Sequence, residues 1–144
     1  MPRYLVVANQ TTTSPRLLQK LREVVRQDPG TDFVLVVPAT PVRDLLFRRA
    51  SDDKAEAVAL KHARRGRAHL EKAGIAVEDA RVVGGEPVSA VEQELRDGHY
   101  DGVVISTLPG EHSAWLRMGL PQKVAATFDG PVLHVEAAPD WAGP

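Results

Sequence analysis

The chain has 144 residues, 43% of them apolar and 26% charged, with a formal net charge of -1. That length suits one domain over 1–144 with a real core, and the charge balance argues against a dedicated nucleic-acid binder. Cysteine is absent, which excludes disulfide, thiol-nucleophile and thiolate-metal chemistry; no apolar run approaches membrane-spanning length, and the start "MPRYLVVANQ" turns polar too soon for a signal peptide, so a cytoplasmic protein is expected.

The first element is "YLVVA" (4–8), an apolar, β-branched run that reads as a buried strand, followed by the polar loop "NQTTTSP". Ser14 and Pro15 form a helix entry, a side-chain cap followed by a residue suited to the first turn. Leu17, Leu18, Leu21, Val24 and Val25 then recur at helical spacing until "DPG" (28–30) stops the helix. "FVLVV" (33–37) is a second continuous strand closed by Pro38.

Residues 38–51 are rich in Arg and Pro and show no clear period. From Asp52 to Ala73 a long helix is expected, with Ala55, Val58, Ala59, His62, Gly66 and Leu70 on one face and Gly74 as its stop. The small residues there suggest close packing on a sheet. A third strand falls in 75–83, and "GGEP" (84–87) turns into a helix with inner residues Val88, Val91 and Leu95. "DGVVIST" (101–107) and "GPVLHVEA" (130–137) are the fourth and fifth strands, with a helix-like "PQKVAATF" between them and a loose tail at 138–144. Strands that alternate with helices and run continuously apolar imply a parallel sheet covered on both faces. The expected fold is α/β, a doubly wound, Rossmann-like five-stranded parallel sheet.

Four stretches carry a family resemblance. "YLVVANQT" resembles the opening strand and loop of universal stress proteins, and "GIAVEDARVVGGEPVSAVEQEL" is similar to their third strand, glycine turn and third helix. "YDGVVIST" resembles their fourth strand and "GPVLHVEA" their closing one. The resemblance implies a sheet in the order 3-2-1-4-5, a homodimer formed through the C-terminal strand (131–136), and an ATP site where strands one and four diverge. The same place follows from the rule that ligands of open α/β sheets bind beyond the carboxyl ends of the strands at the switch point. The cofactor-binding candidates are Ala8, Asn9, Gln10, Thr11, Pro38, Ser106, Thr107, Gly110, Gly119 and Leu120.

The phosphate loop departs from the family pattern of Gly-x-x-Gly, nine residues, then Gly-Ser or Gly-Thr. Glycines suit such a loop because backbone N–H groups must approach phosphate oxygens closely. In this chain the first two positions hold Pro109 and His112, only Gly119 keeps its place, and Leu120 stands where the hydroxyl residue would be. Pro109 has no N–H to donate. Taking Gly110 as the first glycine puts Ser113 at the second. At the end of strand one, Asn9 replaces an acidic residue common in the family. The expected function is a regulatory or binding protein without enzymatic activity or tight ATP binding, its pocket taking another nucleotide, a small anion or nothing. The alternative is an ATP/ADP-binding stress protein with a non-standard loop and slow hydrolysis, in which Gly110, Gly119, Ser106 and Thr107 contact phosphates and Asn9 the nucleoside. A third reading is a flavin phosphate held by 10–14 at the helix N-terminus.

Other features have simpler readings. Trp115, Leu116 and Met118 are expected to pack in the core rather than form an aromatic lid. Within 43–67, eight basic residues face four acidic ones, which a solvated helix face explains, while Leu45, Leu46 and Phe47 suggest a flap or a contact for a protein partner at 43–50. His62 and His69 lie too far apart to share a metal without outside ligands. A trio of Ser106, His112 and Glu111 lacks any nucleophile motif. His134, in the fifth strand, is expected at a dimer seam, where its charge would make association pH-sensitive.

Overall fold

A computed structural model describes residues 2–39, 48–141 and 143, excluding the side chains of 48–53 and 111. The elements run β1 (Arg3–Val7), α1 (Pro15–Gln27), β2 (Asp32–Pro38), α2 (Arg48–Lys72), β3 (Val77–Val83), α3 (Pro87–Asp97) and β4 (Gly102–Thr107). A 3-10 turn (Gly110–His112), α4 (Ala114–Arg117), α5 (Leu120–Thr127) and β5 (Val132–Glu136) follow. All strand pairings are parallel, and the sheet order is β3-β2-β1-β4-β5. The expected doubly wound sheet is therefore present, with the order that the resemblance implied.

The two-residue period of the strands divides the core into two layers. Val6 and Leu35 face one side of the sheet with Leu17, Leu21 and Val24 of α1 and Ala59, Ala63 and Leu70 of α2. Leu5, Val7, Val34 and Val36 face the other side with Val88 and Val91 of α3, Trp115, and Leu120 and Val124 of α5. Trp115 is accordingly a core residue, as expected. The small face of α2 has a physical cause at Gly66, where a Cβ would lie 2.6 Å from Thr12 Cβ and 3.1 Å from Leu35 Cδ2. Only glycine lets α2 settle this closely over the loop after β1.

Several local expectations need correction. Val58, expected on the inner face of α2, is 49% exposed; the buried stripe runs through Ala55, Ala59, His62, Ala63 and Leu70. The helix already includes Arg48, four residues ahead of the expected start at Asp52. Ser14 does occupy the N-cap position of α1, yet its side chain makes no capping bond. Its hydroxyl, with those of Thr12 and Thr13, is buried without a partner among the described residues. At α3 the cap is Glu86, whose carboxylate accepts from Val88 N and Ser89 N. Those backbone bonds, led by the one from Ser89, hold its pKa below the ordinary glutamate value. The tail forms a turn in which Trp141 N donates to Ala138 O, with Trp141 half-buried. The partner contact expected at 43–50 lies outside the described residues, apart from the backbone of 48–50.

Candidate functional site

β1 and β4 lie side by side, Val7 in register with Ile105, and from their carboxyl ends the chain departs to opposite faces of the sheet. β1 leads to α1 and β4 to α4 and α5, so a crevice opens between the two loops. It holds a cavity of about 390 Å³, within the range typical of small-molecule sites. Asn9, Gln10 and Thr11 form its wall on the β1 side, and Ser106, Thr107 and Leu108 its wall on the β4 side. α2 contributes Lys54, Ala55, Val58 and His62, and the segment after β4 contributes His112, Ser113, Ala114 and Trp115. The exposure of Val58 is thus explained, since it borders this opening.

Five of the ten residues named from sequence line the cavity: Asn9, Gln10, Thr11, Ser106 and Thr107. The other five do not. Ala8 is fully buried among the side chains of the α1–α2 layer. Pro38 contributes instead through its carbonyl, which accepts from Asn9 Nδ2 at 2.9 Å. Gly110 opens the 3-10 turn, and a Cβ there would stand 3.4 Å from Glu136. Gly119 takes a left-handed φ of 72° as the N-cap of α5, so its glycine identity serves that turn. Leu120 is 0% exposed in the α3–α5 layer, because an apolar side chain follows the core rather than the crevice.

The polar floor is held from both sides of the crevice. Thr11 Oγ1 and Ser106 Oγ share a 2.6 Å hydrogen bond while both residues are buried, fastening the loop after β1 to the end of β4. Thr107 Oγ1 bonds His134 Nε2 of β5 at 2.9 Å. Asn9 Oδ1 meets His62 Nδ1 at 2.6 Å across 53 positions of sequence. Burial pushes the His62 imidazole below the ordinary histidine pKa, and the cations Arg65 and Lys61 push the same way. The participation of α2, and of His62 above all, was missed in the sequence reading; its one signal was a histidine on an otherwise small, apolar helix face.

Much of the loop after β4 spends its amides on itself. His112 N donates to Pro109 O, Ser113 N to Gly110 O, and Leu116 N to Ser113 Oγ. Arg117 N, Met118 N and Gly119 N donate to Ser113 O, Ala114 O and Leu116 O. Six backbone donors over 112–119 are thereby engaged before any ligand arrives. A phosphate cradle needs such N–H groups free and convergent. Among the described lining residues Lys54 is the lysine, there is no arginine, and no carboxylate is present. Among the described residues no cluster of His, Asp and Glu could hold a metal ion. Ser106 is engaged by Thr11, and no hydrogen bond joins it to His112.

No protein-family model and no curated protein matches the sequence. Solved structures do match. A universal stress protein in complex with cAMP aligns at 18% identity and TM-score 0.65, covering 95% of this chain and 98% of that one. A universal stress protein family member from Arabidopsis thaliana with AMP bound aligns at 15% identity and TM-score 0.65, covering 97% and 94%. The universal stress protein from Archaeoglobus fulgidus in complex with dAMP gives 19% identity and TM-score 0.63, over 93% and 96%. The chain has the universal-stress-protein fold in a strongly diverged sequence. No helix among the described residues is long and apolar enough to cross a membrane.

Proposed function

We propose that the chain is a non-enzymatic, ligand-binding regulatory protein of the universal-stress-protein type, built as one domain over 1–144. Its switch-point cavity takes an adenine nucleoside or nucleoside monophosphate in preference to ATP. The observation that carries this reading is that six backbone N–H groups of the loop after β4, at 112, 113 and 116–119, already donate within the loop. A triphosphate would find those six donors already occupied, while the cavity volume and its mixed wall of Trp115, Val58, Ser106 and Asn9 suit a ring with a few polar edges. The solved structures of this fold with cAMP, AMP and dAMP support the same ligand class. The chain assembles as a homodimer through the open edge of β5.

Calorimetric titration with adenosine, AMP, cAMP, ADP and ATP, with and without Mg²⁺, tests the ligand reading. Adenosine or AMP is expected to bind at least as tightly as ATP. ATP binding tenfold or more tighter than AMP would overturn it in favour of the ATP/ADP alternative. A yellow protein as purified would instead point to a flavin at 10–14.

A further inference from the structure

The pairing of Asn9 with His62 fixes more than the position of two side chains. The Asn9 amide is oriented by the carbonyl of Pro38, to which only its NH₂ can donate, at 2.9 Å. Its oxygen therefore faces His62, and the 2.6 Å contact requires that His62 Nδ1 carry the hydrogen. In a neutral ring the other nitrogen, Nε2, is then a lone-pair acceptor. His62 is 9% exposed, and it lines the cavity. Its Nε2 makes no hydrogen bond to any described residue, nor is it among the sealed, unpartnered polar atoms. Nε2 is therefore the ring nitrogen left to meet a ligand in the cavity that His62 lines.

We propose that Asn9 and His62 make the cavity selective for a ligand that presents a neutral hydrogen-bond donor, an amino or hydroxyl group, to His62 Nε2. This inference rests on the cavity being a ligand site, as proposed above, and adds the group by which the ligand is read. The alternative use of His62, as a cation for an anionic ligand, is disfavoured by its surroundings. Lys61 and Arg65 on α2 and Lys54 at the opening repel a second positive charge. His112, the other titratable group of the described lining, comes from the loop after β4, and the β1 and β4 walls supply only neutral side chains. Acidification turns Nε2 from acceptor to donor, so binding of a donor ligand weakens as pH falls through the histidine range.

The tautomer is tested first, by nitrogen NMR of the ligand-free protein at neutral pH. The Nδ1–H form is expected, and an Nε2–H form would overturn the inference. Adenosine and AMP are then titrated into the wild-type chain, His62→Phe and His62→Gln. A loss of about threefold to tenfold is expected in His62→Phe, the measure of one hydrogen bond, with partial rescue in His62→Gln. If the Phe variant binds as the wild type does, the role of His62 is overturned while the proposed ligand class stands. If neither compound binds the wild type at millimolar concentration, the proposed ligand class falls and this inference falls with it. A thermal unfolding scan of each variant separates lost binding from lost folding.

Discussion

At the residue scale, the bond between Thr11 and Ser106 is the plainest link between stability and site. Both hydroxyls are buried, and their 2.6 Å contact crosses the crevice floor. Thr11→Val keeps the shape but leaves Ser106 with an unmet polar group, so a loss of about 1–3 kcal/mol is expected. Urea unfolding at unchanged m-value measures it. Because the two residues act as a pair, Thr11→Val with Ser106→Ala is expected to cost less than the sum of the single changes. An additive double variant would show that the hydroxyls do not satisfy each other. The sequence offered both residues as site candidates, through the switch-point rule and the family resemblance, but gave no sign that they bond across 95 positions. The same limit hid His62: its helical face was readable, its Asn9 partner was not. Contacts between distant residues follow from the crossing of loops at the switch point, which local periodicity does not encode.

At the element scale, the strands were the most legible part. Buried parallel strands are continuous apolar runs bounded by Gly, Pro and polar turns, and β1, β2 and β4 fit that description closely. The segment after β4 was the least legible. Its glycine losses at Pro109 and His112 were visible, yet they are only part of why it is no cradle. Ser113 caps a helical turn at Ala114–Arg117, and burial of Trp115 at 6% exposure anchors that turn in the core. Five of the loop's donors, at 113 and 116–119, are consumed by this turn and its flanks through bonds that do not involve 109 or 112. Restoring glycine at both, as Pro109→Gly with His112→Gly, is therefore expected to change ATP affinity by less than about threefold. Calorimetry against the wild type measures the change, and a tenfold gain would return the explanation to glycine chemistry alone.

At the scale of the whole molecule, the sheet ends at β3 on one side and at β5 on the other, and an edge strand offers backbone groups to which a second chain can pair. The proposed dimer covers the β5 edge, and His134 in the middle of β5 is expected to give it a pH dependence. Burial already lowers the His134 pKa, against an opposing pull from Glu136 on the same strand, and its Nε2 is held by Thr107. A seam formed over this strand removes the ring further from water and disfavours the imidazolium more. The dimer then binds fewer protons than two monomers, so acidification through the histidine range drives dissociation, and the association regained on raising the pH is complete above the ordinary histidine value. Sedimentation at about pH 8 and about pH 5.5 is expected to show the tighter dimer at the higher pH. His134→Leu is expected to remove the difference while leaving the dimer intact. Equal association at both values would exclude His134 from the seam, and a monomer at both would exclude pairing through β5 altogether. Since Thr107 bonds His134 and also lines the cavity, the same titration followed with AMP present reads whether the edge and the crevice are coupled. Coupling requires the dimer constant to move with ligand by the factor by which the ligand constant moves with dimerisation, and an unmoved constant would make them independent.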